Sequence, residues 1–170
     1  MTQRSLIAEQ ALTQGGCHPQ VREPSRRPER NHVSNIQTVK AIYAAFLAGD
    51  IVTAMTHFAN NVSWNYAGVS TDVPWLQAHQ GRDNLGRAFQ AIGLLDITVL
   101  EPRLFLEQGR TVVVLLRESF TVKATGRSVV EEEHVNVFHF DAAGKVERFR
   151  VRADTHAHWL AYHGDRKADL

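Results

Sequence analysis

The sequence predicts an α+β fold on three observations. Apolar residues recur at three- and four-residue steps up to about residue 93, and they alternate with polar ones from about 96 to 153. Between Gly15 and His32 they are nearly missing. Helices first and an antiparallel sheet afterwards place the helices against one face of a curved, mostly antiparallel sheet.

Ser34 stands where an N-cap is expected, ahead of Ile36, Val39, Ile42, Tyr43, Phe46 and Leu47 at helical spacing; Gly49 then stops the helix. Asp50 or Thr53 opens a second short helix through Met55 and Phe58. The segment VSWNYAG alternates as a strand, with Val62, Trp64 and Tyr66 on one face. After a loop through Pro74 and Trp75, GRDNLGRAFQAIG predicts a helix from about Asp83, striped by Leu85, Ala88, Phe89 and Ile92 and ending near Gly93. Four long strands follow at about 96–107, 111–124, 128–140 and 145–153, separated by QG, TG and DAAGK turns. A helical segment, THAHWLAYH, comes last.

A chain of 170 residues, 44% hydrophobic and 22% charged, suits one globular domain. The stretch GGCHPQVREPSRRPERNH holds three of the five prolines, so residues 1–33 are expected to be a disordered extension, 34–165 the domain and 166–170 a tail. Nineteen Lys and Arg against 18 Asp and Glu give a net charge of +1, which offers no broad field to gather nucleic acid or anionic lipid. Cys17 is the single cysteine and forms no internal disulfide, and no apolar run reaches the roughly 20 residues that span a bilayer. The start lacks the continuous apolar core of a secretory signal. These features predict a cytoplasmic protein without nucleic-acid or membrane partners.

A helix ending in AGD, then ANNVSWNY, a GRDN helix start, long strands, an AAGKVERFR turn and a terminal RVRADT resemble the SnoaL-like, ketosteroid-isomerase-related branch of the nuclear-transport-factor-2-like (cystatin-like) superfamily. The resemblance covers nearly all of residues 34–163 and implies a conical barrel, often dimeric, with a pocket between sheet and helices. It does not imply one reaction, because function lives in the site rather than the fold. Where ketosteroid isomerases carry a Tyr, a late Asp and a carboxylate base, this chain has Ile42, Asn136 and Tyr66. Where limonene-epoxide-hydrolase-like members carry an Arg, an Asp and a final Asp, it has Arg117, Ser119 and Asp154. SnoaL-like cyclases are similar in having an acid/base Asp that matches Asp154 and a supporting His that matches His134 or the position of Asn136.

Asp154 is thus either a proton-transfer group or an N-cap of the last helix. Strand parity puts Arg148, Arg150, Arg152 and Asp154 on one face and Phe149, Val151 and Ala153 on the other; either a bulge re-aims Asp154 or the arginine face meets solvent or a partner subunit. Tyr66 and Asn136 would orient an oxygen, while Trp64, Trp75 and Phe138 would form walls or simply core. Arg117 either pairs with Glu118, Glu131 or Glu133 or anchors a ligand. His156, His158 and His163 diverge on a helix, and in the EEEH strand of 131–134 alternate residues face opposite ways, so no metal site is expected. With no phosphate loop and no nucleophile elbow, the expectation is a cofactor-free isomerase, cyclase or hydrolase for an apolar, carbonyl-containing or polyketide-like compound. The alternatives are a non-catalytic ligand-binding domain and a dimerisation module. Apolar residues on both faces of TVVVLLRESFTV and VVEEEHVNVFHF predict a homodimer.

Overall fold

A computed structural model describes residues 34–66 and 72–164. The expected extension and tail lie outside these residues. Helical periodicity gives α1 (Asn35–Leu47), which buries Val39, Ile42 and Tyr43. Its end is fixed by Gly49, whose φ of 73° suits a residue without a Cβ. The Ser34 hydroxyl does not cap α1; it donates to Glu107 Oε2 at 3.1 Å and so fastens the helix start to the sheet. In α2 (Ile51–Thr56) the cap is Asp50, whose Oδ1 accepts from the Thr53 N–H at 3.0 Å.

Strand β1 (Phe58–Tyr66) starts four residues before the alternating run that announces it. A single 3-10 turn, Pro74–Leu76, buries Trp75; β2 (His79–Gln80) is a two-residue strand. The helix expected from about Asp83 is a 3-10 turn over Arg82–Asn84 followed by α3 (Leu85–Ile92), which Gly93 ends. The meander is β3 (Leu95–Gln108), β4 (Thr111–Val122), β5 (Ser128–Phe140) and β6 (Val146–Arg152), and α4 (Thr155–His163) follows.

The strands form one mixed sheet in the order β2-β1-β6-β5-β4-β3, antiparallel except where β1 runs parallel to β6. The sheet is not closed. Pro102 sits in β3, at the sheet's edge, the position in a sheet to which proline is largely confined. Bulges bend β3, since Ile97–Val99 and Pro102–Leu104 each span one residue more than the facing stretch of β4.

Strand alternation decides the faces. On β4, Val112, Val114, Leu116, Phe120 and Val122 are buried beneath the helices and Glu118 shares their face, while the alternate residues face the other way. The core falls into two clusters. The larger joins α1 to β1, β4, β5 and β6 through Tyr43, Trp64, Phe138 and Phe149; the smaller gathers Trp75, Phe120 and Ala161 beneath α4.

Candidate active site

Between the helices and the inner sheet face the side chains leave a cavity of about 90 Å³. Its walls are mainly aromatic. Trp64 meets Phe149 edge-on at 4.6 Å between ring centres, Phe138 lies 4.6 Å from Phe149, and Tyr43 packs edge-on against Phe138 at 6.1 Å. Ile42 and Phe46 of α1 and Phe89 and Ile92 of α3 also line it.

Against these walls stands one connected polar chain. Asn136 Nδ2 donates to the Tyr43 hydroxyl at 2.8 Å, which leaves Oδ1 to accept from His134 Nε2 at 3.2 Å. The other ring nitrogen, His134 Nδ1, is 2.8 Å from Glu118 Oε2 and 3.7 Å from Glu131 Oε2. Glu131 Oε1 accepts from His158 Nε2 at 2.5 Å, and Glu131 Oε2 from the Asp154 backbone N–H at 3.0 Å. The chain ends where Trp75 Nε1 donates to His158 Nδ1 at 3.1 Å.

These bonds assign the protons. An indole N–H only donates, so His158 Nδ1 holds a lone pair and its proton sits on Nε2, aimed at Glu131. With the Asn136 amide placed to donate to Tyr43, its Oδ1 takes His134 Nε2–H, and Nδ1 sits 2.8 Å from a carboxylate oxygen, an arrangement that favours a second proton on Nδ1 and hence the imidazolium. Burial alone would lower the His134 pKa, but the Glu118 contact and charge, the charge of Glu131 and the Asn136 bond together hold it above the ordinary histidine value. Burial would raise Glu131, yet His158, the Asp154 N–H and His134 outweigh it and keep that carboxyl below its usual range. Glu118 Oε2 lies off the Nδ1–H axis, so the pair is an ion contact rather than an aligned hydrogen bond. Tyr43 and Tyr66 are pushed well above the ordinary tyrosine value, mainly by burial, so both hydroxyls stay protonated.

A bulge builds the cluster. Leu116 pairs with His134 and Glu118 with Glu131, so two steps on β4 face three on β5. The extra residue, within exposed Glu132 and Glu133, reverses the parity of β5 and turns both Glu131 and His134 inward. Strict alternation would have put them on opposite faces, which is why EEEH does not read as a cluster in sequence. One ligand atom each from Glu118, Glu131 and His134 lies within 4.8 Å of the others, a set able to hold a cation only if the Nδ1 proton leaves.

Residues 39–149 match the SnoaL-like domain family. The chain belongs to the SnoaL-like family. No curated protein matches its sequence. Among solved structures, this SnoaL-like chain is similar to two nuclear-transport-factor-2-like proteins. One, from Burkholderia xenovorans LB400, is 28% identical over 75% of this chain and 94% of that one, with a TM-score of 0.66. The other, from Burkholderia pseudomallei K96243 and of unknown function, is 26% identical over 74% and 94%, also with a TM-score of 0.66. TerC, crystallised with polyporic acid, is 23% identical over 75% and 96% with a TM-score of 0.65; at that identity the likeness shows the fold alone.

Within the SnoaL-like domain, Trp64, Tyr66, Trp75, His134, Asn136 and Phe138 all line the cavity. Three expected residues do not. Asp154 is exposed and caps α4, its Oδ1 accepting from the His156 and Ala157 N–H groups at 3.1 and 3.0 Å. Arg117 lies on the outer face, 2.9 Å from Glu132 Oε1, because β4 alternation points it away from Leu116 and Glu118. Ser119 shares that face and takes the Thr98 hydroxyl at 3.2 Å. On β6 the arginine face is the outer one: Phe149 and Val151 line the cavity, while Arg148 and Arg152 are exposed and Arg152 donates to the Val151 carbonyl. Sequence reasoning assigned no site role to Glu118, Tyr43 or Phe149. Glu118 does carry a signal, since it is in phase with Val114, Leu116 and Phe120 as a carboxylate on a core-facing stripe.

Proposed function

We propose that this SnoaL-like protein is a cofactor-free acid/base catalyst of the isomerase, cyclase or hydrolase kind, acting on an apolar carbonyl-containing or polyketide-like compound. The observation that carries the reading is Glu118 beside the His134 imidazolium in an aromatic-walled cavity. A carboxylate there has few waters to solvate it, and one oxygen is taken by His134, so the other is the group that meets a ligand's acidic C–H. In the step, the α C–H bond breaks, its proton goes to Glu118, and the electron pair moves onto the carbonyl oxygen. A protonated hydroxyl, Tyr66 or Tyr43, donates to that oxygen, with Asn136 orienting Tyr43. Glu118 then returns the proton to another carbon. Asp154 serves the site indirectly, by starting the helix that carries His158 and by giving its N–H to Glu131.

One observation favours the second reading, a binding domain without catalysis: the acid/base Asp implied by the family resemblance, Asp154, lies outside the cavity. Incubating the protein in D2O with an enolisable aromatic ketone such as 2-tetralone separates the two. Catalysed exchange of the α-hydrogens supports proton transfer, and binding without exchange supports a carrier.

A further inference from the structure

The charges around the cavity do not balance. Glu118 and Glu131 are carboxylates, His134 is a single imidazolium between them, and His158 is kept neutral by the Trp75 N–H. Their formal sum is one negative charge. Among the described residues no lysine or arginine lines the cavity. The arginines nearest in sequence are committed elsewhere: Arg117 to Glu132, Arg150 to the Ser63 carbonyl and hydroxyl, and Arg152 to the Val151 carbonyl, all from the outer face.

We propose that the cavity selects its ligand by charge, taking a flat aromatic compound that is uncharged or cationic, with an acidic C–H, a hydroxyl or an ammonium toward Glu118, and excluding carboxylates. The inference rests on the reading that the cavity is the ligand site. An anion entering it would lose its hydration and meet a net negative cluster with no cation to pair with, which is the costly case for a buried charge. A donor meets the reverse situation. Glu118 is acceptor-only and only partly occupied by an off-axis contact, so a hydroxyl or ammonium supplies the aligned bond that His134 does not. Trp64, Phe138 and Phe149 in the lining add no positive charge that could pair with an anion.

The test needs no knowledge of the natural ligand. Calorimetric titration of the full chain at pH 7 with 2-naphthol, 2-naphthylmethylamine and 2-naphthoate compares one ring system in three charge states. The proposal expects the first two to bind and the carboxylate to bind at least roughly 10-fold more weakly. Glu118→Gln, shown to melt cooperatively, should bring the three affinities within about 3-fold of one another by removing the charge that discriminates. Naphthoate binding as tightly as naphthol to the unaltered protein overturns charge selection while leaving the cavity as the ligand site. Failure of all three probes to bind overturns that prior reading and this proposal with it. The wild-type ranking decides the question even if the variant does not fold.

Discussion

His134 and Glu118 face each other across β4 and β5, Nδ1 to Oε2 at 2.8 Å, Glu118 turned inward by the alternation of β4 and His134 kept on the same face as Glu131 by the bulge at Glu132 and Glu133. Because Glu118 lines the cavity and Asp154 does not, the two carboxylates should fail in different ways when their charge is removed. Glu118→Gln should lower ketone α-hydrogen exchange by roughly 100-fold while 2-naphthol still binds in the cavity. Asp154→Ala should cost about 0.5–2 kcal/mol of stability through the lost cap and leave probe affinity unchanged. Exchange rate and melting temperature, measured on both variants, check the split.

Stability should depend on pH through the same cluster. The folded-state pKa of His134 is raised, so its contribution is complete below the ordinary value of 6.5 and is lost as pH rises through the raised one. That of Glu131 is lowered, so its contribution is complete above the ordinary 4.5 and is lost as pH falls through the lowered one. Both are fully present only between about pH 4.5 and 6.5. The groups facing His134 are Glu118 and Glu131, with Asn136 between it and Tyr43. Melting temperatures of wild type and His134→Gln from pH 4 to 9 should differ most inside that window and converge above it.

The outer sheet face predicts self-association. Register pairs Leu104 with Leu115 and Leu106 with Val113, and continues to Val135 and Val137, so six apolar side chains share the surface away from the helices. Leu104 and Leu106 are 45% and 56% exposed. A patch of this kind suits a second copy. Light scattering after gel filtration should give about twice the mass of 19.1 kDa, and Val137→Glu should return it to one.

Metal independence is expected for a chemical reason. The position a divalent ion would take between Glu118, Glu131 and His134 is held by the Nδ1 proton of the imidazolium. Elemental analysis of untagged protein after dialysis should find no stoichiometric zinc, manganese, iron or copper. One retained equivalent that is lost in His134→Ala would reverse this assignment.

Much of the fold is legible in the sequence because its signals are periodic. The helical stripe of α1, the alternation of β4 and the DAAGK turn, where Gly144 takes a φ of 76°, each report a local rule. The site is legible only where those rules are not interrupted. Trp64 and Tyr66 follow from the parity of β1, and the parity of β6 correctly separates Phe149 from its arginines. The EEEH segment carries no mark of its extra residue, so Glu131 and His134 read as facing apart. Glu118, in turn, reads as a partner for Arg117 because the two are adjacent, although adjacency on a strand means opposite faces. Asp154 is correctly placed before a helix, and its capping reading is the one its geometry displays.

The central claim is that the cavity holds a charged His134 beside Glu118, and long-range proton–nitrogen NMR of the histidine rings tests it most directly. In the full chain at pH 7, His134, assigned through His134→Gln, should show both ring nitrogens protonated, and His158 should show the proton on Nε2 alone. Glu118→Gln should move His134 toward the neutral ring. A neutral His134 with one bare nitrogen at pH 7 in the unaltered protein would contradict the account.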